Sequence, residues 1–134
     1  MFIRFVGQCA LLSLLISIVG CSGNSGIQQV SGIVTLDGQP CPGLFVLFTP
    51  LEGESRTSSR GQTDQEGKFT LRYTSQIQGA QVGKHLVQIS PNPEPEPGIP
   101  KVKIPPRYNR SSTLNAVVQE GSKNEFQFDL TSGK

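Results

Sequence analysis

The sequence predicts an all-β domain, and three observations carry that expectation. Fifteen Gly and ten Pro, no Trp and only 16% charged residues describe a chain of 134 residues divided by turns into short segments. Beyond residue 27 the apolar residues alternate with a period of two, which lines one face of a strand. No segment after residue 20 keeps the 3.6-residue spacing of an amphipathic helix. The length leaves room for one core and no second domain.

In chain order, QVSGIVTL (29–36) places Val30, Gly32, Val34 and Leu36 on one face and Ile33 on the other. DGQP (37–40) reads as a turn, because Asp bonds nearby backbone and Gly accepts a positive φ. LFVLFTP (44–50) is apolar on both faces, the pattern of a central strand covered on each side, and Pro50 ends it by removing a ladder donor. Residues 51–60 are polar and read as a loop. GQTDQEGKFTLRY (61–73) is the clearest hairpin: a strand, a tight turn over 64–67, and a strand with Phe69, Leu71 and Tyr73 inward. KHLVQIS (84–90) alternates again, with His85, Val87 and Ile89 on one side. TLNAVVQ (113–119) and EFQFDL (125–130) complete seven strands, whose alternate side chains pack between two sheets.

SPNPEPEPGIPKVKIPP (90–106) interrupts this pattern with seven of the ten prolines and reads as a polyproline-II-like spacer. The 28 residues that follow it are too few for a separate core, since chains below about 40 residues usually need disulfides or metals. The segment is therefore expected to be an inter-strand connection, with Lys101–Ile104 adding an edge strand.

The N-terminus reads differently. Arg4 supplies a short positive region and ALLSLLISIV (10–19) an apolar one, the pattern of a secretory signal over 1–20. The apolar run is about half of the roughly 20 residues that a spanning helix needs. IVGC (18–21) resembles the lipobox of bacterial lipoprotein precursors. That resemblance implies cleavage between Gly20 and Cys21, a diacylglyceryl group on the Cys21 thiol, and 21–27 as a flexible tether. Two or more acyl chains hold a protein stably on a bilayer, at about 0.8 kcal/mol per buried CH2. Cys9 would leave with the signal and Cys41 would remain alone, so the mature chain could form no internal disulfide. Ser22 resembles the class not retained at the inner membrane, which favours the outer membrane.

The strand and turn motifs VSGIVTLDGQPCPGLFVLFTP, GQTDQEGKFTL, VGKHLVQI, IPPRYN and FQFDL resemble, in order and spacing, the carboxypeptidase-regulatory-like domain. A lipobox joined to one such domain is similar to small planctomycete lipoproteins. The resemblance implies a single seven-stranded Greek-key sandwich of transthyretin-like type over 28–132, a structural or binding role, and no transferable catalytic residues. His85 stands where that family often has an aromatic, and Cys41 where it has a small or aliphatic residue.

The residues themselves offer little chemistry. His85 is the only imidazole, and its strand setting favours a packed residue over a catalytic base. Cys41, between two prolines, reads as a packed thiol. Cysteines at 9, 21 and 41 fit no metal spacing. Asp37, Asp64 and Glu66 fall at turns without an EF-type loop; a calcium ion held by those turns is the weaker alternative. No metal or cofactor is implied, and the net charge of +2 is too dispersed to imply nucleic acid. Lys101, Lys103, Arg107 and Arg110 form the one local basic cluster, a candidate surface for anionic head groups or acidic polysaccharide. The resulting expectation is a non-catalytic, lipid-anchored envelope protein whose sandwich is a structural or adhesion-type module meeting another envelope protein or a polysaccharide. The alternative is a carbohydrate- or peptide-binding domain using the end loops 51–60 and 91–106.

Overall fold

The computed structural model describes residues 26–133, so the signal, Gly20, Cys21 and most of the tether lie outside the described residues. The described chain is nearly all β. Its strands are β1 (Ile27–Gln28), β2 (Val30–Leu36), β3 (Gln39–Pro40), β4 (Leu44–Pro50), β5 (Ser59–Gln62), β6 (Lys68–Thr70), β7 (Ala80–Gln81), β8 (Gly83–Pro91), β9 (Leu114–Val118) and β10 (Asn124–Leu130), with one 3-10 turn at Pro106–Tyr108. The sequence pattern expects seven strands and the structure has ten. The additional three, β1, β3 and β7, are two-residue pairings too short to leave a period-two signature.

One sheet has β10 on one edge of β2, with β6 and β3 sharing the other edge. The second sheet runs β5-β4-β8-β9, and β1 pairs with β7 in a small ribbon. β2 and β10 are parallel and in register over seven residue pairs, from Val30 with Asn124 to Leu36 with Leu130. A parallel pair cannot be closed by a hairpin. The chain between them crosses to build the whole second sheet and then returns. The arrangement is that of an all-β sandwich.

Asp37 and Gly38 form the two-residue link from β2 to β3, with φ of 52° and 83°. Both central residues of a type I′ hairpin need positive φ, and Asp-Gly is among the few dipeptides that supply it. The Asp37 carboxylate also accepts the Ser132 amide at 2.9 Å, which ties the end of the chain to this turn. In the 64–67 turn, Asp64 Oδ1 accepts the amides of Glu66 at 2.9 Å and Lys68 at 3.0 Å. These backbone donors would otherwise lack a partner inside the turn.

The core lies between the sheets and takes Val30, Val34, Phe69, Phe128 and Leu130 from one and Leu44, Val46, Phe48, Val87, Ile89, Ala116 and Val118 from the other. Phe48 sits at its centre, with ring centroids 5.6 Å from Phe126 and 6.2 Å from Phe128 in edge-on contacts. Among the described residues the core side chains come from residues 30–130.

Three local expectations are corrected. Tyr73 is half-buried, not inward, and its hydroxyl meets Ser55 at 3.2 Å, because β6 ends at Thr70 and the chain turns away at 74–77. Lys101–Ile104 forms no strand; Ile104 is instead buried in the core with Val102 packed beside it, so the segment is held by side chains rather than a ladder. The outer face of β4 is only half-covered among the described residues, at Phe45, Leu47 and Thr49.

Gly32 is where the first sheet has no room for a side chain. A Cβ there would lie 2.7 Å from the Phe69 ring and closer still to the Phe126 carbonyl oxygen of the parallel partner. Gly32→Ala should therefore lower stability by about 1–3 kcal/mol through overpacking. The measurement is a urea midpoint that falls while the slope of the transition is unchanged.

Candidate functional site

His85, the only imidazole, is 1% exposed at the start of the long strand β8. Its Nδ1 lies 3.1 Å from the Gly83 carbonyl oxygen and its ring centroid 5.6 Å from that of Phe48. Burial pushes its pKa down, against the smaller opposing effects of the Gly83 carbonyl and Glu52. The ring is enclosed by the core, with no face open to a substrate. Cys41 is buried as well, and burial raises its thiol pKa, which keeps it protonated and unreactive. Among the described residues no three His, Cys, Asp or Glu side chains converge on a point that could hold a metal ion. No helix among them is long and apolar enough to cross a membrane.

The basic cluster seen in the sequence is divided by the fold. Arg107 donates from Nη2 to the Thr131 carbonyl and, at 2.9 Å, to Thr131 Oγ1. Its guanidinium stands 4.8 Å from the Tyr108 ring centroid, and the Tyr108 hydroxyl accepts the Thr131 amide at 3.0 Å. These contacts fasten the 3-10 turn to the end of β10, so Arg107 has a structural task. Lys101, Lys103 and Arg110 are exposed. Of the four, only Arg110 lines the groove over Leu47, which it shares with Gln88, Ser90, Pro91, Ile104 and Asn109.

A second set of cations was not legible as a cluster. Arg60 on β5 and Arg72 beyond β6 are joined by reciprocal backbone hydrogen bonds, Arg60 N–H to Arg72 O at 3.0 Å and Arg72 N–H to Arg60 O at 2.8 Å. Residues opposed in this way project to the same face. Leu47 is opposite Arg60, and Phe45 opposite Gln62, so that face continues onto the half-buried apolar centre of β4. Arg60, Arg72, Phe45 and Gln62, together with Lys68, Asp64 and Phe69, border an open groove of about 620 Å³ along the corner where the two sheets meet, and Leu47 lies outside it. Arg60 and Arg72 are both exposed, and neither has a carboxylate partner among the described residues. The available signal was the outward alternation Lys68, Thr70, Arg72; its juxtaposition with Arg60 depends on a pairing that no local pattern announces.

Two outcomes follow from this geometry. Because His85 is held neutral in the fold while the unfolded chain takes up a proton near pH 6.5, its contribution to stability is complete above that pH. It is lost as pH falls from there towards the depressed native value. His85→Phe, which keeps an aromatic ring against Phe48, should flatten this part of a stability profile measured by urea unfolding between about pH 5 and 7. Like charges opposed across a strand pair are destabilising, so Arg72→Glu should raise stability at low ionic strength by about 0.2–1 kcal/mol. That gain should shrink as salt is added, which thermal melts at two ionic strengths would measure.

No family model matches the chain, and neither curated proteins nor solved structures give a match to it.

Proposed function

We propose that the chain is a lipid-anchored cell-envelope protein whose sandwich is a non-catalytic structural or adhesion-type module. In this reading residues 1–20 are a lipoprotein signal, cleavage falls between Gly20 and Cys21, and the Cys21 thiol carries the lipid. Residues 28–132 form the seven-stranded Greek-key domain of transthyretin-like, carboxypeptidase-regulatory-like type, facing the periplasm or carried on the outer membrane. The observation that carries the proposal is the IVGC motif followed, after a few small and polar residues, by a β domain that begins at Ile27. The six-residue step from Cys21 to Ile27 spans at most about 20 Å, which would hold the domain close to its bilayer. Enclosure of His85 and Cys41 in the core supports a binding role over catalysis.

A second reading is a carbohydrate- or peptide-binding domain using the end loops 51–60 and 91–106; the groove over Leu47, bordered by Pro91 and Ile104, and the corner groove by Arg60 support it. The test of the anchor is metabolic labelling of cells that make the full chain with radioactive palmitate. Label should enter the wild type and be absent from Cys21→Ser, and mass spectrometry should find the mature N-terminus at an acylated Cys21. Recovery of a mature chain that starts elsewhere, or of an unmodified Cys21, would overturn it.

A further inference from the structure

The corner groove has the composition of a site for an anion, and its two arginines form no salt bridge among the described residues. Lys68 is paired with Glu66 at 3.1 Å, and Arg72 gives one hydrogen bond to the Ser75 carbonyl at 3.3 Å. The Arg60 side chain has no hydrogen-bond partner among the described residues. Asp64, the one carboxylate bordering the groove, already accepts two backbone amides. Two guanidinium groups therefore stand on one face beside a half-buried phenyl ring, Phe45, and neither forms a salt bridge among the described residues.

We propose that this groove binds an acidic polysaccharide, with a carboxylate or sulfate held between Arg60 and Arg72 and a sugar ring resting over Phe45. The proposal deepens the interaction-module reading and rests on it. Guanidinium forks suit planar carboxylate and sulfate oxygens, and an aromatic face suits the apolar face of a sugar. A bilayer is the poorer occupant. The large hydrophobic residues exposed among the described residues are Leu51 and Val117, and neither borders the groove, so nothing there would enter hydrocarbon. The concavity, too, suits a chain rather than a plane of head groups.

The test uses the full chain in a non-ionic detergent, with immobilised polygalacturonate and heparin as probes, neutral dextran as a control, and soluble glycerol phosphate as the competing head-group anion. Binding to at least one acidic polymer should weaken with salt and exceed binding to dextran. Arg60→Gln/Arg72→Gln should weaken it about tenfold or more, as expected for the loss of charged hydrogen bonds. Lys101→Gln/Lys103→Gln should leave it within about twofold, since those lysines do not border the groove. Removal of the opposed charges should not lower the melting temperature, so lost binding in a variant that melts at or above the wild type reports on the site and not on folding. No binding to either polymer, equal binding to dextran, displacement of the polymer by glycerol phosphate at an ionic strength where sodium chloride leaves it bound, or an arginine variant that binds like the wild type would each overturn the proposal. Palmitate labelling is a separate readout: polymer binding without labelling fails the anchor alone, and labelling without polymer binding fails the groove alone.

Discussion

The parallel pairing of β2 with β10 is the constraint on which the rest of the structure depends. It joins the first long strand to the last over seven residue pairs, so the first sheet is not complete until β10 has been laid down. Its two strands supply Val30, Val34, Phe128 and Leu130 to the core, and its tightest point is Gly32, where the Phe69 ring passes over a backbone without a side chain. A contact of such sequence separation is entropically expensive to form. The local hairpins with well-specified turns, at Asp37-Gly38 and around Asp64, hold their strands ready for it.

The long proline-rich connection becomes intelligible against that frame. A chain lacking donors at so many positions cannot join a ladder, and it is fixed instead by Ile104 in the core and by the clasp of Arg107 and Tyr108 on Thr131. Thr131 directly follows β10, so the clasp and the Asp37 contact to Ser132 both secure the end of the strand that completes the first sheet. Basic residues in this segment thus divide into one with a structural task and three left exposed.

The outward face of the second sheet has the opposite character. Among the described residues Phe45 and Leu47 stay half-buried, and the sheets meet at a corner where one bridge sets two arginines side by side. That arrangement costs stability in isolation, and an external anion would offset the cost. The core, by contrast, absorbs both groups that could have suggested catalysis. His85 is packed on Phe48 and Cys41 is enclosed beside the first turn.

The sequence by itself determined the local features. Period-two runs set which side chains of β2 and β8 face inward, because side-chain direction in a strand follows directly from residue parity. Asp-Gly and the Asp64 turn were legible because turn geometry is written in the few residues that tolerate it. Only the tertiary structure decided what those strands meet. The parallel partnership of β2 and β10, the two pairings made by the two-residue strands, the docking of Ile104 where a strand was expected, and the meeting of Arg60 with Arg72 all join residues through backbone hydrogen bonds or core contacts. Such contacts between distant segments leave no local periodicity. The chemistry of each residue was readable in advance, but its neighbours were not, and the candidate site is made of neighbours.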